Sequence, residues 1–364
     1  QWTAVTNTNI NTLDATKGYL IFLRGNRDNI NTINTATGNS NTILRAKGAL
    51  IMGDYNFTNL QSNGRFSLIT NPYASPILWD NSSNGLYTGS NAANFENTIT
   101  VWDPNINTRG GFITVNHLNV TGGGSSSMSN QIQSGQAFFV QAKSGVTNPT
   151  FSIKEINKST ENNLDVYRTG SQTEILKTLL YYTDNTGIVR NADGVTSVFN
   201  NSYSNDVDAN DAQQMENWDE DVAIKRNNYL LSIEARQLAD ANDTIFLAVS
   251  HLKTQTYTWK FVPKNFNAPN LQAQLKDNFT NTLTNISFTD TTVINFTTTT
   301  NAASKAADRF SVIFKNNQTL PVKIAQLNAY TKNNGIQIAW QVNNALDAEK
   351  YQIEKSNDGI NFSS

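Results

Sequence analysis

In Tyr257-Thr258-Trp259-Lys260-Phe261 the large rings fall on every second residue. Successive side chains of a strand point to opposite faces, so this spacing buries one ring-bearing face and turns Thr258 and Lys260 outward. Similar short runs recur along the chain at the intervals of a sandwich fold: 19–23, 48–52, 66–70, 99–102, 111–115 and 137–141, then 175–182, 229–235, 244–249, 256–262, 286–288, 293–297 and 310–314. Gly, Asn, Asp and Ser separate them and supply turn chemistry. Segments 211–218 and 271–277 carry the few patterns that suit two helical turns. Gly122-Gly123-Gly124-Ser125-Ser126-Ser127 reads as a flexible loop.

Composition decides whether such a chain folds at all. Of its 364 residues 54 are Asn, and Thr is similarly heavy, which on its own suggests disorder. The 38% of apolar and 10% of aromatic residues, set in alternating runs, supply the surface for a core. The reading is an ordered β protein with an amide- and hydroxyl-rich exterior. Lys and Arg number 27 against 29 Asp and Glu, with no basic block, so nucleic acid is not an expected partner. Cysteine is absent, which argues against the eukaryotic secretory pathway and removes thiolate chemistry and sulfur-bound zinc. No stretch is long and apolar enough to cross a bilayer. The opening Gln1-Trp2 has neither Met nor signal-peptide regions, which reads as a processed or partial chain.

Organisation follows the strand series. A β-rich domain is expected over 1–155, a β-sandwich domain over 156–317 and a third unit over 318–364. The polar hinge Asn316-Asn317-Gln318-Thr319-Leu320-Pro321 marks the second boundary. Asn-Thr repetition near the start (Asn7-Thr8-Asn9, Asn31-Thr32, Asn34-Thr35) hints at low complexity, and no fixed-period repeat suggests a solenoid. In Asn71-Pro72 the ring fixes φ and the Asn side chain can bond nearby backbone, so a turn starts there and Trp79 folds back as a core anchor. Gly135 permits a tight entry to the apolar run Ala137-Phe138-Phe139-Val140, a central strand. The aromatics are assigned to core packing.

Four segments, in order, resemble a family. They are Lys17-Gly18-Tyr19-Leu20-Ile21-Phe22-Leu23-Arg24-Gly25; Leu68-Ile69-Thr70-Asn71-Pro72-Tyr73-Ala74-Ser75-Pro76-Ile77-Leu78-Trp79; Ile132-Gln133-Ser134-Gly135-Gln136-Ala137-Phe138-Phe139-Val140; and Asp308-Arg309-Phe310-Ser311-Val312-Ile313-Phe314 with Leu320-Pro321-Val322. The pattern is similar to that of large surface proteins that Bacteroidota export by the type IX secretion route. Ile336-Gln337-Ile338-Ala339-Trp340 through Tyr351 to Gly359 looks like the first half of a fibronectin-III-like module. The resemblance implies an extracellular or cell-surface location and implies no defined activity. The fold expected is therefore all-β: tandem antiparallel β-sandwich domains with a partial fibronectin-III-like module at the C-terminal end.

Catalytic signatures are missing. His117 and His251 are the two imidazoles, and no Gly-x-Ser-x-Gly, His-Glu-x-x-His or Walker-type loop occurs. Carboxylate pairs for glycoside hydrolysis are not legible from sequence, and the acids are expected mainly in turns and caps. The chain is thus expected not to be an enzyme. The densest acidic stretch is Asn205-Asp206-Val207-Asp208-Ala209-Asn210-Asp211, with Glu216, Asp219, Glu220 and Asp221 behind it. Its alternating oxygens resemble the opening of a calcium loop. Asp211 then stands where Gly is needed and Asn217 where a bidentate Glu belongs, which does not fit an EF-hand. Asp206, Asp208, Asn210 and Asp211 are left as candidate ligands of a looser calcium site, against an acidic solvated loop; no other cofactor is expected.

Asp243-Thr244-Ile245 and Asp290-Thr291-Thr292 fit the Asp-Thr-apolar pattern of O-glycosylation that the resemblance implies, making Thr244 and Thr291 candidate attachment sites. Sequons at Asn56, Asn81, Asn278 and Asn295 are expected by chance in so Asn-rich a chain. Three functional readings follow. One is a surface adhesin or display module that binds glycans or other extracellular proteins. Another is a structural subunit polymerised through strand edges. The third is a carbohydrate-binding appendage that uses an exposed ring such as Trp102 or Trp218.

Overall fold

A computed structural model of the chain describes residues 3–7, 12–21, 47–117, 120–124, 130–159, 173–316, 323–343 and 351–363. It is all-β in character: the described helices are short, Gly89–Asn94 with its six residues being the longest among the described residues. The chain divides into two compact units, Gln1–Lys315 and Asn316–Ser364.

The first unit holds one large sheet. Ten strands follow in hydrogen-bonded order: Thr282–Ile286, Leu271–Asp277, Phe310–Asn316, Thr244–Ser250, Asp221–Arg226, Tyr229–Arg236, Val189–Phe199, Glu174–Thr183, Thr256–Lys264 and Thr292–Thr297. The short strand Ala212–Gln213 pairs beside Tyr229–Arg236. The first and last strands of this path are neighbours in the chain, joined only by residues 287–291. Such a link reaches about 20 Å at most, so the sheet must curl until its edges approach. The curled sheet wraps around one core. Tyr257, Trp259 and Phe261 all point inward, fully buried, as their alternation requires. Trp259 packs 5.7 Å from Phe296 and 5.5 Å from Phe310, in offset-stacked and edge-on arrangements. Each such side chain contributes about 1.5–3 kcal/mol by leaving water.

A five-stranded sheet precedes it, in the order Phe66–Thr70, Ala137–Ala142, Phe95–Asp103, Gly111–Asn116, Thr121–Gly122. Its core gathers Tyr73, Trp79, Phe95, Phe138 and Phe151. The expected turn is built as its chemistry demands: Asn71 Oδ1 accepts the Tyr73 N–H at 3.0 Å, and Asn71 Nδ2 donates to Ser75 O at 2.8 Å. Trp79 is fully buried, its indole donating to Asn97 O at 3.0 Å.

The two sheets meet across a seam. At Gly122 a Cβ would lie 2.4 Å from Ser232 O and 2.7 Å from the Ile233 side chain, so only glycine lets the two sheets approach this closely. Thr196 Oγ1 donates across the same seam to Thr121 O at 2.7 Å. Gly122, Gly123 and Gly124 are all buried. The run read as a flexible loop is therefore a packing contact over its glycine part; Ser125–Ser127 lie outside the described residues.

Several expectations need correction. Leu271–Asp277 is a strand and not a helix, since Ala273 and Leu275 alternate inward at period two. Segment 211–218 is not helical either: the Asp211 carboxylate caps the Ala235 N–H at 2.9 Å, and Ala212–Gln213 joins the sheet. Residues 48–52 and 19–21 have irregular backbone, and the run placed at 286–288 is instead Thr282–Ile286. Phe22–Gly25, the Asn31–Thr35 repeats and hinge residues 317–321 lie outside the described residues. In the second unit, Lys323–Lys332 and Gly335–Asn343 form a hairpin whose turn residues Asn333 and Asn334 both take φ near +50 to +59°. That is the geometry that two-residue hairpin turns select.

Candidate functional site

Asn explains much of the backbone. Among the described residues, ten non-glycine residues have φ in the left-handed region; nine are Asn and the tenth is His251, at φ +57°. Asn tolerates this conformation because its short side chain bonds locally. His251 lies on the rim of an open depression of about 520 Å³, shared with Arg109, Glu216, Asn217 and Trp218.

Two segments far apart in the chain build this depression. One is the turn between Phe95–Asp103 and Gly111–Asn116; the other is the loop 214–221 leading into Asp221–Arg226. Arg109 from the turn grips the loop. Its Nε donates to Asp219 Oδ2 at 2.9 Å, while Nη2 donates to Asp219 Oδ1 and to Trp218 O, each at 2.7 Å. The clamp holds the Asp219 carboxyl below the usual carboxylate range, with Lys253 3.6 Å away adding to it. Phe112 N–H donates to Asn217 Oδ1 at 2.7 Å. Asn107, itself at φ +55°, donates to Glu220 Oε2 at 2.7 Å and accepts from Tyr182 OH at 2.8 Å. Tyr257 OH donates to Glu220 Oε1 at 2.8 Å, so this fully buried carboxylate is satisfied on both oxygens. Burial and the Glu220 charge push the Tyr182 phenol up to about 12 and raise that of Tyr257 as well.

The loop therefore alternates: Asn217 and Asp219 are pinned inward, Glu216 and Trp218 face solvent. Trp218 is 49% exposed, yet its ring lies 5.0 Å from that of Trp102, which packs edge-on with Phe112 at 4.9 Å. Gly110 makes room: its φ is +88°, and a Cβ there would lie 2.5 Å from the Trp102 ring. The exposed indole is thus mounted on a half-buried aromatic pair.

Beneath the loop lies a pair of buried acids. Gln214 Nε2 bridges them, 2.9 Å from Asp221 Oδ1 and 3.3 Å from Asp193 Oδ2. Asp221 Oδ1 also accepts the Asn217 N–H at 2.9 Å, and Asp193 Oδ2 the Val222 N–H at 2.6 Å. Burial, then the charge of its neighbour, pushes Asp193 well above the usual range; burial raises Asp221 too. These acids, with Asp219, Glu220, Glu234 and Asp277, are buried and not solvated in turns as expected, because each meets donors from a neighbouring strand or loop.

Of the residues singled out from sequence, Trp102 and Trp218 come together here. His117 does not: it packs 5.1 Å from Tyr87, and burial lowers its affinity for protons despite Asp80. In the acidic stretch, Asp208 Oδ1 accepts the Asn210 N–H at 2.7 Å, Asp211 Oδ2 accepts the Asp208 N–H at 2.8 Å, and Asp206 N–H donates to Ser204 Oγ. Among the described residues no three His, Asp or Glu side chains converge as a metal cage. Thr291 is exposed on the link before Thr292–Thr297, and Thr244 is half-buried at the start of its strand. Arg109 and His251 were not anticipated at this site; only proximity in the fold reveals them. No helix among the described residues is long and apolar enough to cross a membrane. Compared with protein families, curated proteins and solved structures, the chain matches none.

Proposed function

We propose that this chain is a non-catalytic protein of the cell surface or extracellular space, an adhesin or display module that holds glycans at the Trp218 depression. The observation that carries this reading is the half-exposed Trp218 ring, backed by Trp102 on a loop tied from both sides. A ring that is already ordered loses little entropy on binding, and a flat apolar face beside polar groups suits a sugar ring. The four ordered sequence elements support export by the type IX route. The same site would serve a carbohydrate-binding appendage of a secreted enzyme.

The test is a glycan array, with extracellular matrix proteins as further probes, read with native protein and Trp218→Ala. The reading expects glycan binding by native protein and loss of about tenfold or more in the variant, equivalent to about 1.4 kcal/mol, at unchanged Tm. Equal binding by both, or binding by neither, overturns it.

A filament subunit is the second reading, favoured by the two sheet edges Thr282–Ile286 and Thr292–Thr297 and their polar ladders. Thr256 and Thr297 hydroxyls meet at 3.2 Å, Thr258 donates to Asn295 at 2.8 Å, and Gln274 to Asn285 at 2.8 Å. Polymers in negative-stain images of purified protein are its expected signature; monodisperse particles at all concentrations remove it.

A further inference from the structure

We infer, resting on the glycan-binding reading, that the depression selects an uncharged pyranose and seats a vicinal diol between His251 and Glu216.

The seat is defined by its hydrogen-bond chemistry. His251 Nδ1 lies 3.1 Å from Asp219 O. A carbonyl only accepts, so Nδ1 carries the proton and donates. In a neutral imidazole the other nitrogen, Nε2, then presents a lone pair. It faces Glu216 Oε1 at 3.6 Å, and a carboxylate also only accepts. With the imidazole neutral, two acceptors thus face each other with no proton between them. Two adjacent hydroxyls supply what is missing, one donating to Nε2 and one to Oε1. Arg109 spends Nε and Nη2 on Asp219 and Trp218 O, leaving Nη1 to donate to the ligand's oxygens. Trp218 offers the apolar face on which the C–H side of the ring rests.

Charge sets the class of sugar. The positive Arg109 and Lys253 are offset by Asp219 and by Glu220, 3.5 Å from Lys253 Nζ. Glu216 is then the surplus charge, and its carboxylate is exposed. A uronate, sulfate or phosphate brought to this rim meets the Glu216 charge, while Arg109 and Lys253 are already offset by Asp219 and Glu220; an uncharged diol meets matched acceptors.

The backbone at His251 points the same way. The nine other non-glycine left-handed positions among the described residues use Asn, the residue that adopts this conformation most readily. Histidine is the one departure from Asn, and it sets an imidazole at the rim.

Affinity electrophoresis of the full chain against uncharged polysaccharides (glucan, mannan, galactan) and anionic ones (polyuronate, sulfated galactan) tests this. Uncharged polymers are expected to bind, with little response to added salt. Glu216→Gln places an amide donor in the seat, and His251→Asn removes the ring; each is expected to weaken binding about tenfold, about 1.4 kcal/mol. His251→Asn should do so with Tm at or above that of native protein, which separates a binding role from a structural one. Preference for anionic polymers, or binding unchanged in both variants, overturns the diol seat while glycan binding stands. Binding to no polymer overturns both.

Discussion

Arg109 clamps Asp219 through two parallel hydrogen bonds although 110 residues separate them in the chain. The clamp ties the five-stranded sheet to the loop carrying Trp218, so it links the packing of the first unit to the geometry of its surface site. Such fork-to-fork pairing requires guanidinium geometry. Arg109→Lys keeps the charge and loses the fork; Tm should fall by a few degrees and amide exchange at 216–219 should quicken. Because the folded carboxyl titrates below its ordinary range, the clamp stabilises the fold above the usual aspartate pKa and is lost as pH falls through the lowered value. The Arg109→Lys effect should therefore shrink in acid, which urea unfolding at pH 7 and pH 3 would show.

A second ion pair lies in the large core. Arg309 is 2% exposed, donates to Asp277 at 2.9 and 2.7 Å, and is surrounded by the rings of Phe279, Phe296 and Phe310 at 4.9, 5.0 and 4.7 Å. Asp277→Ala leaves that cation unpaired and should cost about 3–5 kcal/mol in urea unfolding. Replacing both partners by apolar residues of similar volume (Arg309→Met with Asp277→Leu) should recover much of the loss. No recovery would mean that the carbonyl contacts of Arg309 to Ser304 and Thr297 carry the site.

The buried acids have the opposite pH signature. Burial lifts Asp211 to about 6, and Asp193 stands well above its ordinary value. The native state therefore keeps protons that the unfolded chain releases, so stability falls as pH rises from the ordinary aspartate value toward the folded one. For Asp211 the window is roughly pH 4 to 6, and the loss is on the order of 3 kcal/mol. Asp193→Asn should flatten the negative slope of unfolding free energy against pH below neutrality. An unchanged slope would show that Asp193 is ionised in the fold.

At the seam, Gly122→Ala forces a methyl into Ser232 O and should cost about 1–3 kcal/mol as the sheets separate. Gly48→Ala, whose new methyl would have open space around it, is the control and should leave Tm unchanged. Equal effects would mean that the close approach at Gly122 is not what holds the sheets together.

Strands with one buried face were legible from sequence because alternation is local: Thr256–Lys264 and Phe66–Thr70 lie where the pattern puts them. Val189–Phe199 was not, because Asn191-Ala192-Asp193-Gly194 at its centre has the composition of a turn. Those polar residues are buried by partners that come from elsewhere, Gln214 and Val222 among them. Asp221–Arg226 was hidden by the acidic run before it. The same reason governs the site. Trp218 could be named as an exposed ring, but its backing by Trp102, the Arg109 clamp and the left-handed His251 arise from contacts over long separations that no spacing encodes.

The most direct measurement is hydroxyl-radical footprinting by mass spectrometry, with and without a saturating polysaccharide selected on the array. Trp218 should be oxidised readily in free protein and protected in the complex, while Tyr229, 44% exposed on another strand, is oxidised equally in both. Oxidation of Trp218 at the same rate with ligand bound would contradict the account and place binding elsewhere on the molecule.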